Sequence, residues 1–201
     1  LGIENVLCLT GDHVSLGDHP QAKPVFDLDA VTLLVAARAL TRGHDLTGHA
    51  LAGTPCFFLG AVVSPCADPV EPQLFKMDKK VRAGAEFFQT QAVFEAERFA
   101  AFMEQARGLG VPVIAGIILL KSAKMARFMN QNIPGIRVPD DLIKEMESSK
   151  DKEGTSAEIA ARSIRDLRGL AAGVHIMAMG WEHLIPRVLE SSGLPAPAEA
   201  A

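Results

Sequence analysis

Apolar residues in this chain fall into two patterns that take turns from one end to the other: short unbroken runs, and stretches where they recur every three or four positions. The first run, Val6 to Leu9, leads into Thr10-Gly11-Asp12. It predicts a buried strand that delivers a threonine, a glycine and a carboxylate to its carboxyl end. A polar loop, His13 to Pro24, follows. A helix is predicted from Asp27 or Asp29, either of which can cap it, with Leu28, Val31, Leu34 and Val35 spaced for one buried face and Gly43 as its stop. Cys56 to Val63 is continuously apolar or glycine, as in a strand covered on both faces, and Ser64-Pro65 ends it. Glu71 to Ala83 is helix-compatible, with Leu74, Phe75 and Val81 on one side and Gly84 as terminator.

The alternation continues. Phe87 to Phe94 predicts a third strand, with Gln89 and Gln91 on one face by its period of two. Glu95 to Arg107 predicts a helix, Val111 to Leu120 a fourth strand, Ser122 to Asn130 a helix, and Asp140 to Ser149 a short one. Lys150 to Thr155 reads as a charged loop, and Ser156 as the cap of a helix reaching Leu170. Val174 to Met179 is the fifth strand and Trp181 to Leu189 the last helix.

Five strand–helix units in strict alternation imply a parallel sheet with right-handed crossovers. A doubly wound nucleotide-binding sheet would announce itself by Gly-x-Gly-x-x-Gly after the first strand, and that motif is absent. The fold class expected is therefore α/β, a (β/α)8 TIM barrel of which this chain carries about five βα units. Opening on a strand, with Leu rather than Met first, is what a chain cut inside a barrel would look like. The expected organisation is one barrel domain over residues 1–194, without its first three units, and a flexible tail over 195–201.

Composition narrows the function. With 20 basic and 24 acidic residues the net charge is −4, so no basic face is available for a phosphate backbone and nucleic acid is not an expected partner. The apolar run from Val111 to Leu120 is about half of the roughly 20 residues that span a membrane. Three cysteines without metal-type spacing suit reduced thiols, and the expected location is the cytoplasm. The pairs Asp12-His13 and Asp18-His19 lack a third ligand cluster, so no metal site is expected.

Asp12, a carboxylate at a strand's carboxyl end, suits general acid–base work or the fixing of an amino-heterocycle, although a Thr-Gly-Asp turn also serves as a cap. Gln91 is polar in an otherwise apolar strand, and a buried amide must find partners, which a heterocyclic ligand or the backbone can supply. Lys79 and Lys80 suit either a cofactor phosphate or a solvated helix face.

These residues, taken in order, resemble the methylenetetrahydrofolate reductases, flavin-dependent (β/α)8 barrels of one-carbon metabolism that lead to methionine. Leu9-Thr10-Gly11-Asp12 is similar to the family's Leu-Arg-Gly-Asp at the end of the fourth strand. Lys79-Lys80-Val81-Arg82-Ala83-Gly84-Ala85 resembles its Lys-x-Lys-Val-x-Ala-Gly-Ala, Gln89-Thr90-Gln91 with Phe94 its Thr-Gln-Phe-Phe-Phe strand, and Gly116-Ile117 its Pro-Gly-Ile strand. The resemblance covers nearly the whole chain and implies strands four to eight.

What it implies about the site is specific. Asp12 is the catalytic residue, beside flavin and folate. Gln91 holds the pterin of the folate. Thr10, Gly11, Asp12, Phe26, Asp27, Ser64, Gln73, Lys76 and Lys80 fall at flavin-contact positions. The implied cofactor is FAD, with FMN as the alternative. The implied reaction is reduction of 5,10-methylenetetrahydrofolate to 5-methyltetrahydrofolate, with reduced nicotinamide or another electron donor. The chain departs from the family where Gly60 to Pro65 replaces Tyr-Pro-x-x-His-Pro, so an aromatic wall is missing and Ser64 stands for histidine. Trp181 stands near a position where some members hold the folate with a basic residue. The family's substrate-protonating acid, on the first three strands, is not in this chain. Two other readings remain: another flavin- or folate-binding barrel enzyme, and a non-catalytic partial barrel that binds folate, a second copy of itself or a partner subunit through its strand edges.

Overall fold

The computed structural model describes residues 2–194. The flexible tail expected over 195–201 lies outside the described residues. Strands β1 (Asn5–Cys8), β2 (Phe58–Val63), β3 (Phe87–Ala92), β4 (Val113–Ile118) and β5 (Gly173–Met177) alternate with helices α1 (Ala30–Thr41), α2 (Glu71–Ala83), α3 (Ala96–Ala106), α4 (Ala123–Asn132), α5 (Asp140–Ser148), α6 (Lys152–Asp166) and α7 (Ile185–Ser192). The strands lie in one sheet in chain order, and β1 with β2 and β4 with β5 pair in parallel. The α/β class and the five strands agree with the sequence pattern. β1 is as long as its apolar run and starts one residue earlier, and the other four strands are shorter than theirs.

The chain divides into two compact units: the residues up to Val62 together with Phe75–Phe88, and Val63–Leu74 together with the residues from Gln89 on. In the first unit Leu34, Leu59, Ala61, Met77 and Phe88 form the interior. Helix α1 starts at Asp29, not Asp27: the Asp29 carboxylate accepts from Thr32 N at 2.8 Å, and Thr32 Oγ1 accepts from Asp29 N at 2.8 Å. This reciprocal capping box satisfies two otherwise orphaned donors.

Asp29→Ala is expected to destabilise the protein by about 1 kcal/mol. The hydrogen bonds from Thr32 hold the Asp29 carboxyl below its ordinary pKa. A depressed carboxylate contributes stability above its unfolded pKa and loses it as pH falls through the folded one. The gap between wild type and variant, read as urea midpoints, should therefore close in acid.

The buried face of α1 is Ala30, Leu34 and Ala37, whereas Leu28 and Val35, expected inside, are exposed. On α2 the inward residue is Met77, and Phe75 is exposed. Periodicity identified these helices and set Val31, Leu34, Leu74 and Val81 on their covered faces, while Leu28, Val35 and Phe75 lie outside them. Gly60 on β2 leaves room for Phe87, whose ring stacks on Phe58 with centroids 5.1 Å apart; a Cβ at Gly60 would overlap that ring.

The second unit holds the larger interior. Ala92, Ile118, Leu120, Ala126, Met129, Val138, Leu142, Met146 and Ile159 form one cluster beneath α4, α5 and α6. The continuous apolar run of β4 is explained by burial of nearly every residue from Val113 to Leu120. The Asn130 side chain donates to Val138 O at 2.9 Å and accepts from Val138 N at 2.7 Å, which closes the neck of the loop between α4 and α5.

Helix α6 corrects the expected loop over Lys150 to Thr155. Asp151 is the cap, accepting from Gly154 N at 2.9 Å, so the charged residues form the helix's first turn and Ser156 is buried within it. Lys152 and Glu153 read as loop because their charges hide a turn whose other residue, Gly154, faces inward.

Candidate functional site

Seven of the expected site residues, Thr10, Gly11, Asp12, Phe26, Asp27, Lys76 and Lys80, lie in the first unit. Thr10 Oγ1 accepts from Ala30 N at 2.9 Å, so the end of β1 is tied to the first turn of α1. Gly11 and Asp12 follow immediately and are exposed. A Cβ at Gly11 would meet nothing within 4 Å. Among the described residues no hydrogen bond engages the Asp12 carboxylate. Phe26 is 77% exposed and stacks on His13, with ring centroids 6.2 Å apart and 22° between planes, and Asp27 beside it is exposed too.

Lys80 is not a solvated lysine. Its ammonium is half-buried and donates to Val62 O at 2.7 Å, at the end of β2. Burial first, and repulsion from Lys76 one turn earlier, hold its pKa below the ordinary lysine value, while Asp29 partly offsets them.

The sign of the Lys80 shift makes a prediction. A lysine with a depressed folded pKa carries a penalty while it is protonated, and that penalty fades as pH rises toward the unfolded value. Lys80→Met carries none. The urea midpoint of the variant minus that of the wild type should therefore decline between neutral pH and about pH 10. A constant difference would show that Lys80 is not desolvated.

The second unit holds the other three. Ser64 N donates to Gln73 Oε1 at 3.4 Å, and the backbone of Gly135 packs against Ser64, where a Cβ would come within 2.9 Å of the serine Cβ. Gln91 is exposed, which corrects the expectation of a buried amide in need of partners; Gln89, on the same face, is partly covered. Thr90, between them, is the buried polar residue. Its hydroxyl accepts from Gly116 N at 2.9 Å and donates to Gln91 O at 2.7 Å, which fixes the backbone that carries Gln91. Farther along the sheet, Lys121 Nζ stands 5.3 Å from the centroid of the Trp181 ring.

The family model of methylenetetrahydrofolate reductase matches residues 1–193, which is all but the end of the chain. The chain belongs to the methylenetetrahydrofolate reductase family. Among its relatives, a probable methylenetetrahydrofolate reductase (NADPH) of Caenorhabditis elegans is 32% identical over 151 residues, covering 69% of this chain and 22% of that protein. Methylenetetrahydrofolate reductase 2 of Schizosaccharomyces pombe is 26% identical over 208 residues, covering 96% of this chain and 32% of that protein. The chain thus spans between 22% and 32% of the length of these curated relatives. A solved Clostridium thermocellum protein that binds two copies of 5-methyl-5,6,7,8-tetrahydrofolic acid shares the fold, with a TM-score of 0.53 and 20% identity over 68% of this chain and 52% of that one.

Within this reductase-family chain, the residues that sequence reasoning passed over are those that hold others in place. Thr90 had a signal, since period-two alternation sets it on the face opposite both glutamines, with buried Phe88 and Ala92. Asp29 was a candidate cap in the sequence, and the reciprocal bond with Thr32 selects it over Asp27. The meeting of His13 with Phe26 had none, because thirteen positions separate them in an irregular loop. Among the described residues no helix is long and apolar enough to cross a membrane, and no group of three or more His, Cys, Asp or Glu converges as a metal site.

Proposed function

We propose that this chain supplies the flavin- and folate-binding part, strands four to eight, of a (β/α)8 methylenetetrahydrofolate reductase acting in the cytoplasm, which converts 5,10-methylenetetrahydrofolate to 5-methyltetrahydrofolate. The observation that carries this reading is the exposed Asp12 carboxylate, free of hydrogen-bond partners among the described residues and presented just beyond the Thr10–Ala30 tie, within a family match over residues 1–193.

The residues present fit an anionic flavin cofactor on electrostatic grounds. Lys76 and Lys80 lie one helical turn apart, burial and mutual repulsion disfavour the Lys80 charge, and an anion beside them relieves that repulsion. Phe26, exposed and flat, suits a stacked ring. Thr10, Gly11, Asp27, Ser64 and Gln73 complete the proposed cofactor contacts, for FAD or FMN. When bound, the flavin supplies the hydride that reduces the methylene carbon.

The chain's own residues do the rest. Asp12 accepts hydrogen bonds from the folate's amino-heterocycle and orients it. Gln91 offers one amide donor group and one acceptor to the pterin edge. Reduced nicotinamide is the proposed electron donor. A second reading, a folate-binding module without flavin, is favoured by one observation: Gly60 to Pro65 contributes no aromatic ring at the exit of β2.

The test is direct. The purified chain is expected to carry a flavin visible band near one equivalent and to bind 5-methyltetrahydrofolate in calorimetry. A colourless chain that binds the folate would establish the module instead, and a chain that binds neither ligand would overturn both readings.

A further inference from the structure

Between β2 and α2 the chain carries prolines at 65 and 69, and a third, Pro72, stands in the first turn of α2. Proline fixes φ, so this loop is stiff before any ligand arrives. The loop and one face of α3 enclose a cavity of about 270 Å³ within the second unit. That volume lies just below the roughly 300–1,000 Å³ of pockets that hold drug-sized ligands, so the space suits a metabolite of about amino-acid size. Arg98, Ala101, Phe102 and Gln105 form the helix wall, at the spacing of a single helix face. Pro65, Pro69 and Val70 are the apolar part of the loop wall, and Asp68 and Glu71 are its charged part.

Arg98 brings to this cavity a charge that the protein does not fully use. Its side chain is only 31% exposed, yet its guanidinium makes no hydrogen bond among the described residues. Its ion-pair partner, Glu95, stands 3.7 Å away and is shared with Arg137, also at 3.7 Å; the shared oxygen is buried and hydrogen-bonds to neither. One carboxylate thus serves two guanidinium groups, and the donors of Arg98 stay open. On the loop wall Asp68 and Glu71 are exposed, and neither forms an ion pair or a side-chain hydrogen bond among the described residues. The cavity presents a cation from the helix, two anions from the loop, and apolar surface from both.

We propose that this cavity binds a free α-amino acid with an apolar side chain. The ligand's carboxylate pairs with Arg98, whose planar guanidinium matches a carboxylate in a two-pronged contact. Its ammonium faces Asp68 and Glu71, and its side chain packs on Pro65, Pro69, Val70 and Phe102, which removes apolar surface from water. A simple anion would leave the two loop acids unanswered, and a simple cation would leave Arg98 so. A zwitterion answers both. The stiff loop and the buried Phe102 hold the walls in place, which lowers the ordering needed on binding. None of these residues is a proposed flavin or folate contact, so the inference stands apart from the folate reading.

Calorimetric titration of the full chain with L-leucine tests this, beside 4-methylpentanoate, which lacks the ammonium, and 3-methylbutylamine, which lacks the carboxylate. Leucine is expected to bind with a Kd of about 1 mM or tighter, and each partial ligand about tenfold more weakly or worse. This series uses the wild-type protein and needs no folded variant. Arg98→Gln is expected to weaken leucine binding about tenfold, and the double variant Asp68→Asn, Glu71→Gln to do the same, with the urea midpoint of each read alongside. No binding heat from leucine up to about 10 mM would overturn the proposal. So would equal affinity for leucine and either partial ligand, or leucine binding undiminished in either variant.

Discussion

Gly116→Ala is expected to destabilise this protein by about 3 kcal/mol, at the upper end of the overpacking range. Gly116 is the fourth residue of β4, and a Cβ there would stand 2.6 Å from the backbone oxygen of Thr90 and 2.9 Å from that of Gln91. Both obstacles are main chain, so no rotamer change relieves the clash and the β3–β4 spacing must widen. Widening breaks two bonds at once, Gly116 N to the Thr90 hydroxyl at 2.9 Å and Val93 N to Gly116 O at 2.9 Å. The groups left behind are buried, and each unpaired one adds about 1–3 kcal/mol of its own. Chemical denaturation of the purified variant measures the loss, and a change below about 1 kcal/mol would mean that the strands separate freely. Because Thr90 also bonds Gln91 O, the surviving folded fraction should bind 5-methyltetrahydrofolate more weakly than the wild type.

Asp12→Asn has the opposite signature. Its side chain is exposed and makes no hydrogen bond within the described residues, so the urea midpoint is expected to stay within error of the wild type. In a full-length protein that carries this chain as part of a complete barrel, turnover of methylenetetrahydrofolate is expected to fall about 100-fold, the scale of a lost acid–base or polarising group. The amide keeps the shape and one acceptor but loses the charge, which separates electrostatic work from space filling. Unchanged turnover and folate affinity would remove the Thr10-Gly11-Asp12 segment from the centre of the site. A large drop in the urea midpoint would instead make Asp12 a structural turn residue.

The two substitutions differ because the positions answer to different forces. At Gly116 the neighbouring strand's main chain leaves no volume for one more carbon. At Asp12 nothing within the described residues uses the charge, so its loss is expected to register in ligand binding and turnover rather than in folding. Lys80 lies between these cases: its ammonium is committed to Val62 O, yet Lys76 raises the cost of keeping it charged.

The sequence by itself determined the alternation of five strands and their helices, the class of the fold, and the order of motifs that matches the methylenetetrahydrofolate reductase family. Those properties depend on hydrophobic periodicity and on glycine, proline and capping residues, which act over a few positions and are written locally. Tertiary structure alone decided where each buried stripe ends, as at Val35 and Phe75, because the partner surface that sets its width comes from distant segments. It also decided that Asp151 and not Ser156 caps α6, and that Gln91 is exposed while Thr90 is buried. Two acceptable caps or two glutamines on one face look alike in sequence. Only the packing of neighbouring elements gives one of them a partner and leaves the other open to a ligand.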